Sequence, residues 1–284
     1  MYNFEYYPKK PGLIPKLITY YHLFRIKLLK KRKPLTNTEA VEMAHKNKKL
    51  VIQIMYGGLG DHLIYSSLPR LLWEKYKIKT EISNKSLYRS PEIRKFVWES
   101  NPYVTFTDKK GWSFGGNVPE NKTFDRIMQE MFDLESNGSP EVFYKSNRTI
   151  EVLNKTIVDV SFGPAGKVAY KYHTEEFLDS LVKYIKKNLS EFILITHTGD
   201  GYSNREAEKR LIKEFNPPHF DVSTLSDLAD VYTSAKERYL LFSGSASVVA
   251  ALKQPSTILC NMYIDQRFAY KSINKYIDIK KQNL

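Results

Sequence analysis

Short apolar runs alternate along this chain with longer stretches whose apolar residues recur at helical spacing. Leu50-Val-Ile-Gln-Ile-Met55 is a brief, nearly continuous apolar run of the kind a buried parallel strand needs. Tyr56-Gly-Gly-Leu-Gly-Asp61 follows as a glycine-rich turn. From His62 to Tyr76, residues Leu63, Ile64, Ser67, Leu68, Leu71 and Leu72 keep a helical period, with Pro69 predicting a kink. Residues 78–82 read as strand, 91–101 as helix and 103–107 as strand, while 109–123, rich in Gly, Pro and Asn, reads as loop. The second half repeats the rhythm. Strand 157–162 leads through Gly163-Pro-Ala-Gly166 to helix 174–188, which carries Phe177, Leu178, Leu181 and Ile185 on one face. Strand 192–196 and helices 205–215 and 225–235 come next, the last capped by Ser223 or Thr224. Strand 239–242 then turns through Ser243-Gly-Ser-Ala-Ser247 into helix 248–253 and strand 256–260. Strand, turn, helix, strand is the opening of a doubly wound α/β domain, met here twice.

The 284 residues are comfortable for two such domains, since single domains usually run about 100–200 residues. The pattern divides the chain into an appendage (1–46), a first domain (47–150), a second domain (151–262) and a tail (263–284) that reads as helical. In the appendage, Pro8, Pro11, Gly12 and Pro15 break the opening, and a helix is expected from Leu17 to about Lys33. Its apolar face carries Leu17, Tyr20, Tyr21, Phe24 and Leu28, and its basic run is Lys27, Lys30, Lys31, Arg32 and Lys33. Two readings stand: residues 17–33 lie on an anionic bilayer, or the apolar face packs on the domain and the lysines face water.

Composition narrows the classes. The net charge of +13 favours anionic partners, yet the chain shows no nucleic-acid motif and its tight basic run is confined to the appendage, so no nucleic-acid partner is expected. A single cysteine, Cys260, lies in an apolar run and reads as a core thiol, so the fold does not depend on disulfides. No secretory pattern opens the chain and no run of about 18 apolar residues occurs. The expectation is a cytoplasmic protein, peripheral at the inner membrane face if residues 17–33 bind lipid.

Three strand-to-helix turns hold the candidate chemistry. Gly57-Gly-Leu-Gly-Asp61 frees backbone N–H groups for an anion, but lacks both the P-loop ending and a dinucleotide fingerprint. From spacing alone, Asp61 reads first as a helix cap or dipole partner. Gly163 to Lys171 places Lys167 and Lys171 just before a helix, where a diphosphate would offset their charge; two exposed lysines is the plainer reading. Ser243-Gly244-Ser245-Ala246-Ser247 is a second candidate phosphate cradle or an ordinary cap. His62, His173 and His197 are isolated in sequence, no metal-ligand spacing occurs and no nucleophile elbow is present.

Three segments resemble the lipopolysaccharide heptosyltransferase family, glycosyltransferase family 9. They are Gly57-Gly-Leu-Gly-Asp61 with a following helix and Pro69; Gly163-Pro-Ala with Lys171, His173 and Phe177; and Leu225-Ser-Asp-Leu-Ala-Asp230 leading to Phe242-Ser-Gly-Ser-Ala-Ser247, Leu252 and Pro255. Their order and spacing agree over roughly residues 48–260. Phe242 stands where the family has Asp, Ser247 where it has His, and His173 where it has Trp; the first two departures leave the donor open, a heptose being one candidate.

The resemblance implies a GT-B fold, two Rossmann-like domains facing across a cleft, and an inverting, metal-independent glycosyltransferase with no cofactor. Its donor would be a nucleoside-diphosphate sugar, and its acceptor a surface-polysaccharide or lipid-linked glycan. Asp61 would be the catalytic base. Gly57, Gly58, Gly60 and His62 would form the acceptor-side loop, and Gly163, Lys171, Ser243, Gly244 and Ser245 would hold the donor phosphates. The alternative is a catalytically silent relative that binds nucleotide or glycan.

Overall fold

The computed structural model describes residues 35–116, 119, 121–135, 138–146, 152, 154–161, 174–198, 205–261 and 265–281. The basic helix expected over 17–33, and Gly163, Lys167, Lys171 and His173, lie outside them.

Strands β1 (Lys49–Ile52), β2 (Lys79–Ser83) and β3 (Val104–Thr107) form a parallel sheet in the order β1-β2-β3. On the other side of β1, Trp112 pairs with Ile52: its N–H donates to Val51 O (2.8 Å), and its own carbonyl accepts from Gln53 N (2.7 Å). The chain therefore builds outward from β1 and then returns to its opposite flank. Strands β4 (Thr156–Asp159), β5 (Ile193–His197), β6 (His219–Val222), β7 (Glu237–Leu241), β8 (Thr257–Cys260) and β9 (Lys275–Asp278) form a second parallel sheet, in the order β6-β5-β4-β7-β8-β9. It reverses direction between β4 and β7. In open α/β sheets, ligands bind outside the carboxyl ends of the strands at such reversals. The turns after β1 and β7 occupy those places.

The helices are α1 (Asn37–Asn47), α2 (Leu59–Leu63), α3 (Leu68–Tyr76), α4 (Pro91–Arg94), α5 (Phe124–Met131), α6 (Glu175–Asn188), α7 (Arg205–Phe215), α8 (Leu225–Ser234) and α9 (Gly244–Ala251). Several differ from the sequence expectation for identifiable reasons. The helix expected over 62–76 is two, α2 and α3. Pro69 sits in the first turn of α3, where its missing N–H costs no hydrogen bond. The helix expected over 91–101 starts as α4, capped by Ser90, and continues as a π-helical turn, Lys95–Glu99. Residues 37–46, assigned to the appendage, belong to α1, which buries Ala40 and Ala44 against β1. Asn37 on α1 accepts from the Trp112 indole N–H (3.0 Å), tying that helix to the segment beside β1.

The tail corrects the expectation of a helix over 263–284. After a single 3-10 turn, Gln266–Phe268, it forms β9 on the free edge of β8. Ile277 and Ile279 point inward two residues apart, and the edge supplies the backbone hydrogen bonds that a helix would have made internally.

One apolar cluster contains residues of both halves, including Ile52, Leu72 and Trp98 from the first and Val248, Val249 and Ile258 from the second. Each such side chain contributes about 1.5–3 kcal/mol on burial. Polar contacts reinforce it. Glu92 accepts from Leu225 N at the start of α8 (3.0 Å), Tyr144 O–H donates to Asp230 (2.7 Å), and Lys253 Nζ donates to Ser139 Oγ (2.7 Å).

Candidate functional site

The turn after β1 is built by backbone pairing with the segment 86–89. Leu87 N donates to Ile54 O (2.9 Å), Arg89 N to Gly57 O (2.8 Å) and Ile54 N to Ser86 Oγ (3.0 Å). This close approach explains Gly57: a Cβ there would stand 2.9 Å from Arg89 N. Gly58 begins α2, and its N–H donates to Asp61 Oδ2 (3.0 Å); a Cβ on Gly58 would meet that oxygen at 2.7 Å. Asp61 thus caps its own helix, as one reading of the sequence expected, and is half-buried. Burial raises its pKa above the ordinary aspartate value, while the Gly58 N–H and the nearby Arg89 charge pull the other way and lose. The result is a carboxylate that is a stronger base than usual.

His62, expected on the acceptor-side loop, is fully buried and has no surface to offer an acceptor. The Trp98 indole N–H donates to its Nδ1 (2.9 Å), so the ring proton sits on Nε2 and donates to Leu87 O (2.8 Å). Tyr88 stacks on the ring at 4.5 Å. Burial drives the His62 pKa down to about 4, so the imidazole is neutral and acts as a structural cross-link.

At the third turn, α9 begins at Gly244, inside the stretch read as a turn, with Ser243 as its cap. Ser243 Oγ accepts from Ser245 N (3.2 Å), and Ser243 O accepts from Ala246 N (3.1 Å). Ser243 is half-buried and Gly244 is exposed, with open space where its Cβ would be. Ser245 is only 9% exposed and lies beside buried Tyr232, whose O–H donates to Asp159 Oδ2.

Behind this turn lies a group that the sequence reading did not connect. Asp159, ending β4, is fully buried and also accepts from Ser161 N (2.8 Å), with His197 Nε2 3.4 Å away at the end of β5. Burial opposes the charge on each partner. For Asp159, burial is outweighed by His197, Ser161 and Tyr232 together, and its pKa falls. For His197, it is outweighed by the charge and hydrogen bond of Asp159, with Glu208 adding, and its pKa rises. The aspartate in the apolar run Ile157-Val-Asp-Val160 was the available sequence signal, because a buried charge needs partners. Arg89 was missed too, and no spacing links it to Asp61.

The two turns are neighbours: α2 packs on α9, and the Gly60 Cβ position lies 3.8 Å from Phe268. Two of the three departures from the family pattern meet the tail. Phe242 meets Tyr276 edge-on at 5.9 Å, and Ser247, 3% exposed, lies beside Tyr270. Among the described residues, no group of three or more His, Cys, Asp or Glu converges to hold a metal ion, and no helix is long and apolar enough to cross a membrane.

No protein-family model and no curated protein sequence matches this chain. Solved structures do. TibC of enterotoxigenic E. coli H10407, an iron-containing dodecameric heptosyltransferase solved with ADP-D-beta-D-heptose, is similar at a TM-score of 0.53 and 14% identity. The match covers 79% of this chain and 61% of TibC, so the chain spans under two thirds of that relative's length. A glycosyl transferase family 9 protein from Veillonella parvula DSM 2008 is similar at a TM-score of 0.57 and 10% identity, over 83% of this chain and 87% of that one. The fold is therefore that of solved glycosyltransferases, in agreement with the resemblance read from the three motifs. TibC's iron finds no matching set of ligands among the residues described here.

Proposed function

We propose that this chain is a glycosyltransferase of GT-B type, with residues 47–150 as the acceptor half and 151–262 as the donor half. The observation that carries the reading is the meeting of two turns. Each lies at the reversal of its own parallel sheet; one bears a base of raised pKa and the other an open helix start. Asp61 takes the proton of the acceptor hydroxyl as that oxygen attacks the anomeric carbon from the face opposite the leaving diphosphate, which inverts the centre. A positioned base of this kind contributes about 10²–10⁴-fold. The Gly244 N–H and the Ser243 hydroxyl, with Gly163 and Lys171, receive the charge growing on the leaving nucleoside diphosphate. Ser245 holds the turn in place through the bond of its N–H to Ser243 Oγ. No metal is assigned a step, and the acceptor is a surface-polysaccharide or lipid-linked glycan, with residues 17–33 on the membrane face.

A thermal-shift titration with ADP, GDP, UDP and CDP and their sugars, with and without EDTA, tests this. A ligand at about 100-fold its dissociation constant adds about 2.7 kcal/mol. A selective shift that survives EDTA supports the reading and identifies the donor class. No shift with any nucleotide sinks it. The catalytically silent alternative is favoured by one observation: Phe242 packs on Tyr276, and Ser245 and Ser247 are buried. In that case nucleotide or glycan still binds, and transfer is absent before Asp61 is touched.

A further inference from the structure

Arg89 is half-buried beside the Asp61 turn, and its backbone is pinned by the bond to Gly57 O. Its guanidinium nevertheless makes no hydrogen bond or ion pair with any described residue, in contrast to Arg70, Arg94, Arg126, Arg210, Arg238 and Arg267. Arg89 Nη2 lies 3.7 Å, and Asp61 Oδ2 2.7 Å, from the point where a Gly58 Cβ would stand. The two groups therefore flank the same spot without forming an ion pair. Asp61 is already occupied by the Gly58 N–H, and burial leaves its pKa raised despite the Arg89 charge. A half-buried guanidinium whose donors no described residue takes up offers a planar fork shaped for a carboxylate or phosphate. On the same turn Tyr56 is 62% exposed.

We propose that Arg89 is a specificity-determining residue that binds an anionic group, carboxylate or phosphate, on the acceptor sugar and thereby sets an accepting hydroxyl against Asp61. This rests on the reading of Asp61 as the acceptor base. It makes the acceptor an acidic glycan and gives the first half a recognition task that needs no residue of the donor turn.

Calorimetric titration of the full chain with glucuronate, glucose 6-phosphate and glucose tests it without requiring turnover. The wild type binds one or both acidic sugars at least about tenfold more tightly than glucose, the size expected for a charged hydrogen-bonded pair. Comparing the two acids separates carboxylate from phosphate. Arg89→Met abolishes the preference and Arg89→Lys keeps part of it, with melting curves confirming that both variants fold. Equal binding of acid and glucose, a preference that survives in Arg89→Met, or no measurable binding of either acid overturns the proposal. The nucleotide titration separates this outcome from the parent reading. A nucleotide shift without acid preference removes only the role of Arg89, whereas acid preference without any nucleotide shift removes the transferase and leaves an acidic-glycan site.

Discussion

The turns after β1 and β7 occupy corresponding places in their sheets but use their polar groups in opposite ways. After β1, Asp61 is half-buried and the Arg89 guanidinium has no partner among the described residues, while the buried neighbour, His62, is neutral and cross-linked to Trp98 and Leu87. After β7, Ser243 Oγ accepts from the Ser245 N–H, and behind it buried Asp159 takes the Tyr232 O–H with His197 3.4 Å away. One turn leaves its two charged side chains without an ion pair between them. The other uses its polar side chains to hold its own shape. The first half therefore presents charged side chains at its turn, and the second half a pre-formed helix start.

The largest expected effect breaks the comparison directly. Asp61→Asn keeps the cap geometry but removes the base, and should lower kcat by about 10²–10⁴-fold while nucleotide affinity holds. If turnover persists, the chemistry lies elsewhere. The raised Asp61 pKa also fixes a sign: kcat/KM falls as pH drops through that pKa, so the acid limb lies above the ordinary aspartate range.

The two histidines give a second, opposed pair of signs. His62 has a folded pKa of about 4 against about 6.5 when unfolded, so its contribution is intact above pH 6.5 and is lost as pH falls toward 4, by about 3 kcal/mol. Urea melts across that window show the loss, and His62→Gln flattens it. His197 has a raised pKa, so its contribution is full below about pH 6.5 and is lost as pH rises through the folded value. Parallel melts of His197→Gln converge on the wild type only at high pH.

Smaller effects sharpen the picture behind the turn after β7. Tyr232→Phe leaves buried Asp159 short of a donor and should cost about 1–3 kcal/mol in chemical denaturation. Ser243→Ala removes the α9 cap and should cost about 0.5–2 kcal/mol. A Ser243→Ala variant with unchanged nucleotide affinity would mean that the hydroxyl only caps.

Local chemistry made the sheet-and-helix rhythm, the Gly57–Asp61 turn and the Ser243 turn legible in the sequence, because apolar period and glycine act over a few residues. Most strands and helices fall where that rhythm places them. The tail was misread because β9 owes its form to the open edge of β8, an influence no window of residues 263–284 contains. His62 looked like a loop ligand until Trp98, 36 positions away, supplied the proton for its Nδ1. Sequence alone determined which residues can cap, turn or be buried. Tertiary structure decided which polar groups find partners: Asp159 meets His197 and Tyr232, Phe242 and Ser247 settle against the tail, and Arg89 stands beside Asp61 unpaired. Burial strengthens every such encounter, and it exists only once distant segments are packed together.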